Sequence, residues 1–161
     1  PEQSFDSQAD KQLETALIAS GIGFIQGETV EKYVPQEINF DLTGGIHFEK
    51  GCYPGQEVVA RSHYLGKNKR RAFIAHSVGS NPVAGQDVWL VGKNNEPVGS
   101  VVNASGSLAL IDCPVDLATA PESQFTLSSQ AEASQNPESQ AAQAFGLELP
   151  PYDVFTKGRQ L

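Results

Sequence analysis

Methionine is absent from this chain, tryptophan occurs once and cysteine twice in 161 residues. No run of 18 apolar residues occurs, which excludes a membrane-spanning helix. Residues 1–10 are polar and acidic and carry no signal peptide, so the chain reads as cytoplasmic and reducing. In that setting the Asn103-Ala104-Ser105 triplet, a glycosylation acceptor pattern, reads as chance. Cys52 and Cys113 form no metal-ligand spacing and suggest no disulfide framework. His47, His63 and His76 complete no metal pattern with them. There is no Gly-rich phosphate loop, no nucleophile elbow and no internal repeat. Basic residues are the scarcer sign, 11 Lys and Arg against 19 Asp and Glu, for a net charge of -8. That balance argues against general nucleic-acid binding.

The basic residues present are concentrated. Residues 50–86 hold six of the eleven, Lys50, Arg61, Lys67, Lys69, Arg70 and Arg71, and one acid, Glu57. Such a stripe in an acidic protein suits a local anion, RNA at Lys67–Arg71 included; a solvated loop leading into a strand is the plainer reading.

The length allows one domain or two small ones with a real core. Residues 8–20 carry Leu13, Ala16, Leu17 and Ser20 at helical spacing, and Gly21 is a natural stop. A turn-rich stretch follows to Gly27. Residues 34–40 read as a short helix with Pro35 in its first turn, broken at Gly44-Gly45. Residues 46–48 alternate like a short strand. Beyond residue 70 the period changes to that of strands, expected at 71–78, 88–91, 98–104, 108–112 and 124–127, with turns at Asn81-Pro82, Gly92–Asn95 and Gly106. That spacing suits a small barrel or sandwich. Residues 128–144 hold no large apolar side chain and read as a mobile insertion, with a weak helix as the alternative. Residues 147–152 form a last edge strand, where proline is tolerated.

One stretch stands apart: Lys50-Gly51-Cys52-Tyr53-Pro54-Gly55-Gln56-Glu57, continuing to Arg61. Two glycines and a proline turn the backbone around Cys52, and residues 55–61 read as a helix. A helix N-terminus and the nearby Lys50 both favour a thiolate. The alternative is a small buried hydrophobe without chemistry. Glu57 reads as a helix-start acid, Glu31 as a turn cap or a functional acid, and His63 as a surface imidazole or a base facing the same region. His76 and Trp89 read as structural, and Cys113 as a buried filler.

The stretch resembles the signature of the YgfZ family, folate-binding relatives of the glycine-cleavage T-protein (aminomethyltransferase) superfamily: Lys-Gly-Cys, an aromatic, any residue, then Gly-Gln-Glu. The likeness spreads over Glu31 to Gln36, Asn39, Gly44 to Ile46, Tyr64 to Gly66 and Lys69 to Arg71, and covers residues 10–115 well. It implies an α+β chain. Residues 1–68 would be the C-terminal part of a T-protein-like folate-binding domain, and 69–161 a small antiparallel β-barrel. Family members carry a long preceding segment, so the chain reads as the C-terminal part of a larger protein or as a naturally short relative.

The implied function is support of iron–sulfur enzymes, including those that modify tRNA. Cys52 would be the working residue with Lys50 beside it, tetrahydrofolate or a derivative the ligand, and no metal is implied. Glu31, Gln56, Arg61 and Leu13 fall at cofactor-side positions. One departure stands out: where relatives carry Arg, Glu and in some cases Trp on the helix before Gly21, this chain has Leu17, Ala19 and Leu13, which can neither donate to nor accept from a pterin. Two rival classes are a folate-dependent one-carbon transferase, which does not use the Lys-Gly-Cys signature, and an RNA- or protein-binding module without catalysis.

Overall fold

The structure, a computed structural model, describes residues 7–49, 51, 56–65, 68–76, 81–92, 96–127 and 144–155. The expected mobile insertion lies, apart from Ala144, outside the described residues. Helix α1 spans Ser7–Ala19 and α2 Glu57–Leu65. Strands β1 (Arg70–His76), β2 (Asp87–Leu90), β3 (Gly99–Ser105) and β4 (Leu108–Pro114) follow. A one-turn helix α3 (Val115–Ala118) precedes β5 (Phe125–Thr126) and β6 (Leu147–Glu148). The α+β expectation is met by helices beside one antiparallel sheet, in the order β5-β2-β3-β4-β1-β6. The sheet curls, and paired bonds between Phe125 and Phe145, 2.9 Å each way, tie β5 to the segment that enters β6.

The curl gives the sheet two buried faces. Its inner face packs Phe73, Val88, Leu90, Val101, Ile111, Phe125 and Phe145. Its outer face packs Ala72, Ile74, Val102, Leu108 and Leu110 against Ile18 of α1 and Ile38. Residues 7–49 thus share one buried cluster with the sheet. Strand β4, central and covered on both sides, is buried over six consecutive residues, so its sequence is a nearly unbroken apolar run.

A bulge in β3 shifts the register between Val101 and Asn103. The extra residue aims Val102 at the helix layer, and Asn103 follows on the same side. The Asn103 amide then acts as a strand neighbour for Phe24. Its Oδ1 accepts from the Phe24 N–H at 2.9 Å, and its Nδ2 donates to the Phe24 carbonyl at 2.8 Å. Both ends of this amide are used and the residue is fully buried, so the Asn103-Ala104-Ser105 triplet is structural.

Three local expectations are corrected. Residues 34–40 form linked turns instead of a helix, because Asn39 takes φ 66°; the chain then reverses through bonds from Phe40 to Pro35 and from Gly45 to Phe40. Residues 46–48 pair with no strand. Helix α2 runs on to Leu65, so His63 and not Arg61 lies in its last turn.

Helix α1 ends as its sequence predicts. Gly21 sits at φ 70°, its N–H bonds the Ile18 carbonyl at 2.9 Å, and the Ile22 N–H bonds the Leu17 carbonyl at 2.9 Å. This double closure is a Schellman cap. A β-carbon at Gly21 would also overlap Pro150 and Tyr152. Gly21→Ala should therefore cost about 2–3 kcal/mol. Gly106→Ala, at φ 60° in the β3–β4 turn with open space around it, should cost about 1 kcal/mol. Urea midpoints of the two variants measure the difference.

Candidate functional site

In the segment from Gln36 to Asp41 three polar side chains point inward. Gln36, Asn39 and Asp41 are all buried. The Asn39 amide covers the free edge of β1, donating to the Ala72 carbonyl at 2.8 Å and accepting from the Ala72 N–H at 3.3 Å. It also donates to the Tyr152 hydroxyl at 3.0 Å, and that hydroxyl donates to the Gly21 carbonyl. Burial raises the Tyr152 phenol, which keeps it protonated as the donor.

One residue before Ala72, Arg71 points its guanidinium into the same segment. Nη1 and Nη2 donate to the two oxygens of Asp41, at 2.6 and 3.0 Å, and Nη1 also donates to the Gln36 carbonyl at 2.7 Å. The side chains are 3% and 1% exposed. A buried pair repays its desolvation only with such bidentate geometry and further bonds.

The chain leaves this anchor and reaches Phe48, and α2 is the next described element after the motif. Gln36 and Phe48 both contact α2. Gln36 Nε2 donates to the Val59 carbonyl at 2.6 Å. The Phe48 ring stacks on His63, with centroids 3.6 Å apart and planes 13° from parallel. The segments entering and leaving the motif are thus fastened to each other. Gln36 Oε1 is buried without a partner.

Of the sequence-predicted site residues, Lys50 and Cys52 lie outside the described residues, with Tyr53, Pro54 and Gly55. Gln56 and Arg61 are exposed on or beside α2, together with Glu57 in its first turn. Glu31 is exposed at φ 61°. Leu13 is 60% exposed on α1, with Ala19 exposed and Leu17 half-buried. Sequence reasoning missed the roles of Gln36, Asn39 and Asp41. Their signal was a run of polar residues interleaved with Ile38 and Phe40, which a surface helix would not need.

The expected basic stripe is corrected. Arg71 is buried against Asp41. Arg70 grips Asp112 with Nε, at 3.2 and 2.9 Å from its two oxygens, and with Nη2, which also donates to the Val98 carbonyl at 3.2 Å. Lys69 is exposed, and Lys67 lies outside the described residues. Two of the four cations are taken up in ion pairs, because the turn segment brings Asp41 to Arg71 and β4 brings Asp112 to Arg70. Cys113 is the buried filler expected. Burial pushes its thiol up to about 12, helped by the charges of Asp112 and Asp116 and opposed by Arg70.

A cavity of about 620 Å³ opens elsewhere, between α3 and β6, and reaches Phe73. Its described lining includes Pro121, Leu147, Glu148, Leu149 and Phe155. Among the described residues no cluster of side chains could hold a metal ion, and no helix is long and apolar enough to cross a membrane.

No family profile matches the chain. It is similar to curated proteins over a 96-residue stretch. The tRNA-modifying protein YgfZ of Yersinia enterocolitica is 40% identical there, covering 58% of this chain and 29% of the relative. The proteins of the same name from Yersinia pestis and Yersinia pseudotuberculosis are 39% identical over the same shares. The chain therefore spans under a third of the length of these relatives.

Removing one partner of the buried pair leaves an uncompensated charge. Asp41→Leu or Arg71→Met alone should each cost about 3–5 kcal/mol, and the double variant should recover much of that loss. Denaturant midpoints of the four-member cycle measure the coupling.

Asp112 predicts a pH effect. Burial pushes its carboxyl up to about 6, with Arg70 pulling it back. The folded state thus holds a proton that the unfolded state releases near pH 4, so this group's contribution is fullest in acid and is lost as pH rises to about 6. Relative to Asp112→Asn, the wild type should lose about 2–3 kcal/mol between pH 4 and pH 7. Unfolding curves of both proteins across that range measure it, and parallel pH profiles would contradict it.

Proposed function

We propose, for a chain that belongs to the YgfZ family over its matched 96 residues, that it carries the motif-bearing part of a protein supporting tRNA modification. The observation behind this reading is the 40% identity to proteins named as tRNA-modifying. The working group is Cys52. Lys50 stands two residues away and α2 begins five residues on, at Glu57, and both favour a thiolate. A reducing, cytoplasmic setting and iron–sulfur enzymes as clients, tRNA-modifying ones among them, belong to the same proposal.

Tetrahydrofolate or a derivative is the ligand that the family resemblance implies, with Glu31, Gln56 and Arg61 as polar candidates. The α1 positions do not fit it. Leu13, Leu17 and Ala19 offer no donor or acceptor, so no folate contact is assigned to them and no chemical step is routed through the ligand. The T-protein-like character of residues 1–68 and the barrel character of 69–161 stand as part of this reading.

The full-length protein tests it, in a host whose own copy is deleted, with tRNA nucleosides quantified by mass spectrometry. Cys52→Ser should abolish rescue of the modified nucleosides and leave the melting temperature nearly unchanged. In the folded protein iodoacetamide should label Cys52 with a midpoint below the ~8.5 of a free thiol, and Cys113 only on unfolding. Full rescue by Cys52→Ser, or labelling of Cys113 first, removes Cys52 from the mechanism.

A further inference from the structure

We propose that the gap in the sheet between β6 and the residues leading into β5 is a docking slot for an extended peptide of a partner protein. The peptide carries an apolar side chain flanked by basic ones and adds a short strand beside Leu147. The inference is independent of the reading of Cys52.

Among the described residues β5 meets the segment entering β6 only where Phe125 and Phe145 exchange both backbone bonds, at 2.9 Å each. The chain then pairs with β1, Leu147 against Ala75 and Glu148 against Ile74. Phe145 and Leu147 both pack on the inner cluster, so the backbone stays extended through Gly146. The N–H and C=O of Leu147 therefore point the same way as those of Phe145, toward β5. Continuing the register would set Ser123 against Leu147. Ser123 instead gives its N–H to the Ala120 carbonyl at 3.1 Å, in the turn through residues 121–122. Among the described residues none bonds Leu147 from that side.

Two chemistries meet at this edge, and together they define the occupant. A backbone donor and acceptor side by side match another extended backbone, and neither a lipid nor a hydrocarbon answers them. The cavity of about 620 Å³ opens along the same edge, with Phe73 of the inner core among its walls and Ala118, Pro121 and Leu147 beside it. Leu149 and Phe155 also line it, at 53% and 63% exposure, so a strand laid here covers apolar surface that water now touches. Pro150 and Pro151 follow at once and cannot donate to a ladder. The open edge is therefore short and takes one segment, not a continuing stack. Glu122 and Glu148 are exposed on the segments that border the slot, in a chain of net charge -8. That field favours Lys or Arg next to the inserted apolar residue.

The test uses the full chain and, as probe, the end-capped peptide Lys-Val-Thr-Phe-Thr-Val-Lys, read by amide NMR shifts and amide hydrogen exchange. In the free protein the Leu147 amide should exchange about tenfold faster than that of Phe145, which is bonded. The peptide should shift the amides of Phe73, Ser123 and Leu147 and slow exchange at Leu147 by about tenfold. Replacing its phenylalanine by serine should weaken binding about tenfold. N-methyl groups on alternate peptide residues, made in both phases, should weaken one phase about tenfold more than the other, because only one phase meets Leu147. Leu147→Pro should abolish binding and leave the pairing of β6 with β1 intact. If that variant does not fold, the N-methyl pair decides on the unaltered protein. Equal binding by both phases, or no shift at these amides with millimolar peptide, overturns the inference. So does a Leu147 amide already protected in the free protein: protection at every concentration makes the chain its own occupant, and protection that grows with concentration makes it a second copy.

Discussion

The buried Arg71–Asp41 pair is the constraint on which the surrounding structure depends. A guanidinium and a carboxylate withdrawn from water carry a desolvation cost of several kcal/mol each, so every further lone pair and N–H around them must be answered. The Gln36 carbonyl takes one guanidinium N–H, and Asn68 approaches Asp41 at 3.5 Å. Meeting those demands holds residues 36–41 against β1. The next residue along β1 repeats the tie through Asn39, which passes it to Tyr152 and so to Gly21 at the end of α1. One polar strip thereby joins α1, the turn segment, β1 and the last described segment.

Two asparagine side chains stand in for peptide groups. Asn39 pairs with Ala72 and Asn103 with Phe24, each offering a donor and an acceptor as a neighbouring strand would. Both sit where the backbone departs from regular structure, Asn39 at a positive φ and Asn103 at a bulge. A side-chain amide can follow such a departure where a flat strand cannot, and it leaves no buried backbone group unpaired. These residues therefore connect the helix layer to the sheet without lengthening it.

The same logic separates the structural charges from those near the motif. Arg71 is buried against Asp41 and Arg70 pairs with Asp112, while the exposed charges Glu57, Arg61 and Lys69 lie on or near α2.

Much of the fold was legible in the order of residues. The four longer strands, the turn at Gly106, the closing of α1 at Gly21 and the helix after the motif all rest on short-range causes: period, glycine at positive φ and turn chemistry; the expected Gly92–Asn95 turn lies, apart from Gly92, outside the described residues. The motif cysteine and its resemblance are likewise local. Elsewhere partners far away in the chain decided the outcome. Arg71 answers Asp41 thirty residues earlier and Arg70 answers Asp112 forty-two later, so two of the four cations that looked like a surface stripe are taken up in ion pairs, one of them fully buried. Residues 34–40 carry helical spacing, but the bond from Asn39 to β1 and its positive φ replaced the helix with turns. Sequence determined which local shapes were available, because those depend on neighbours within a few residues. Tertiary structure alone decided which polar groups were buried, because that depends on which distant carboxylate, amide or carbonyl arrives to replace water.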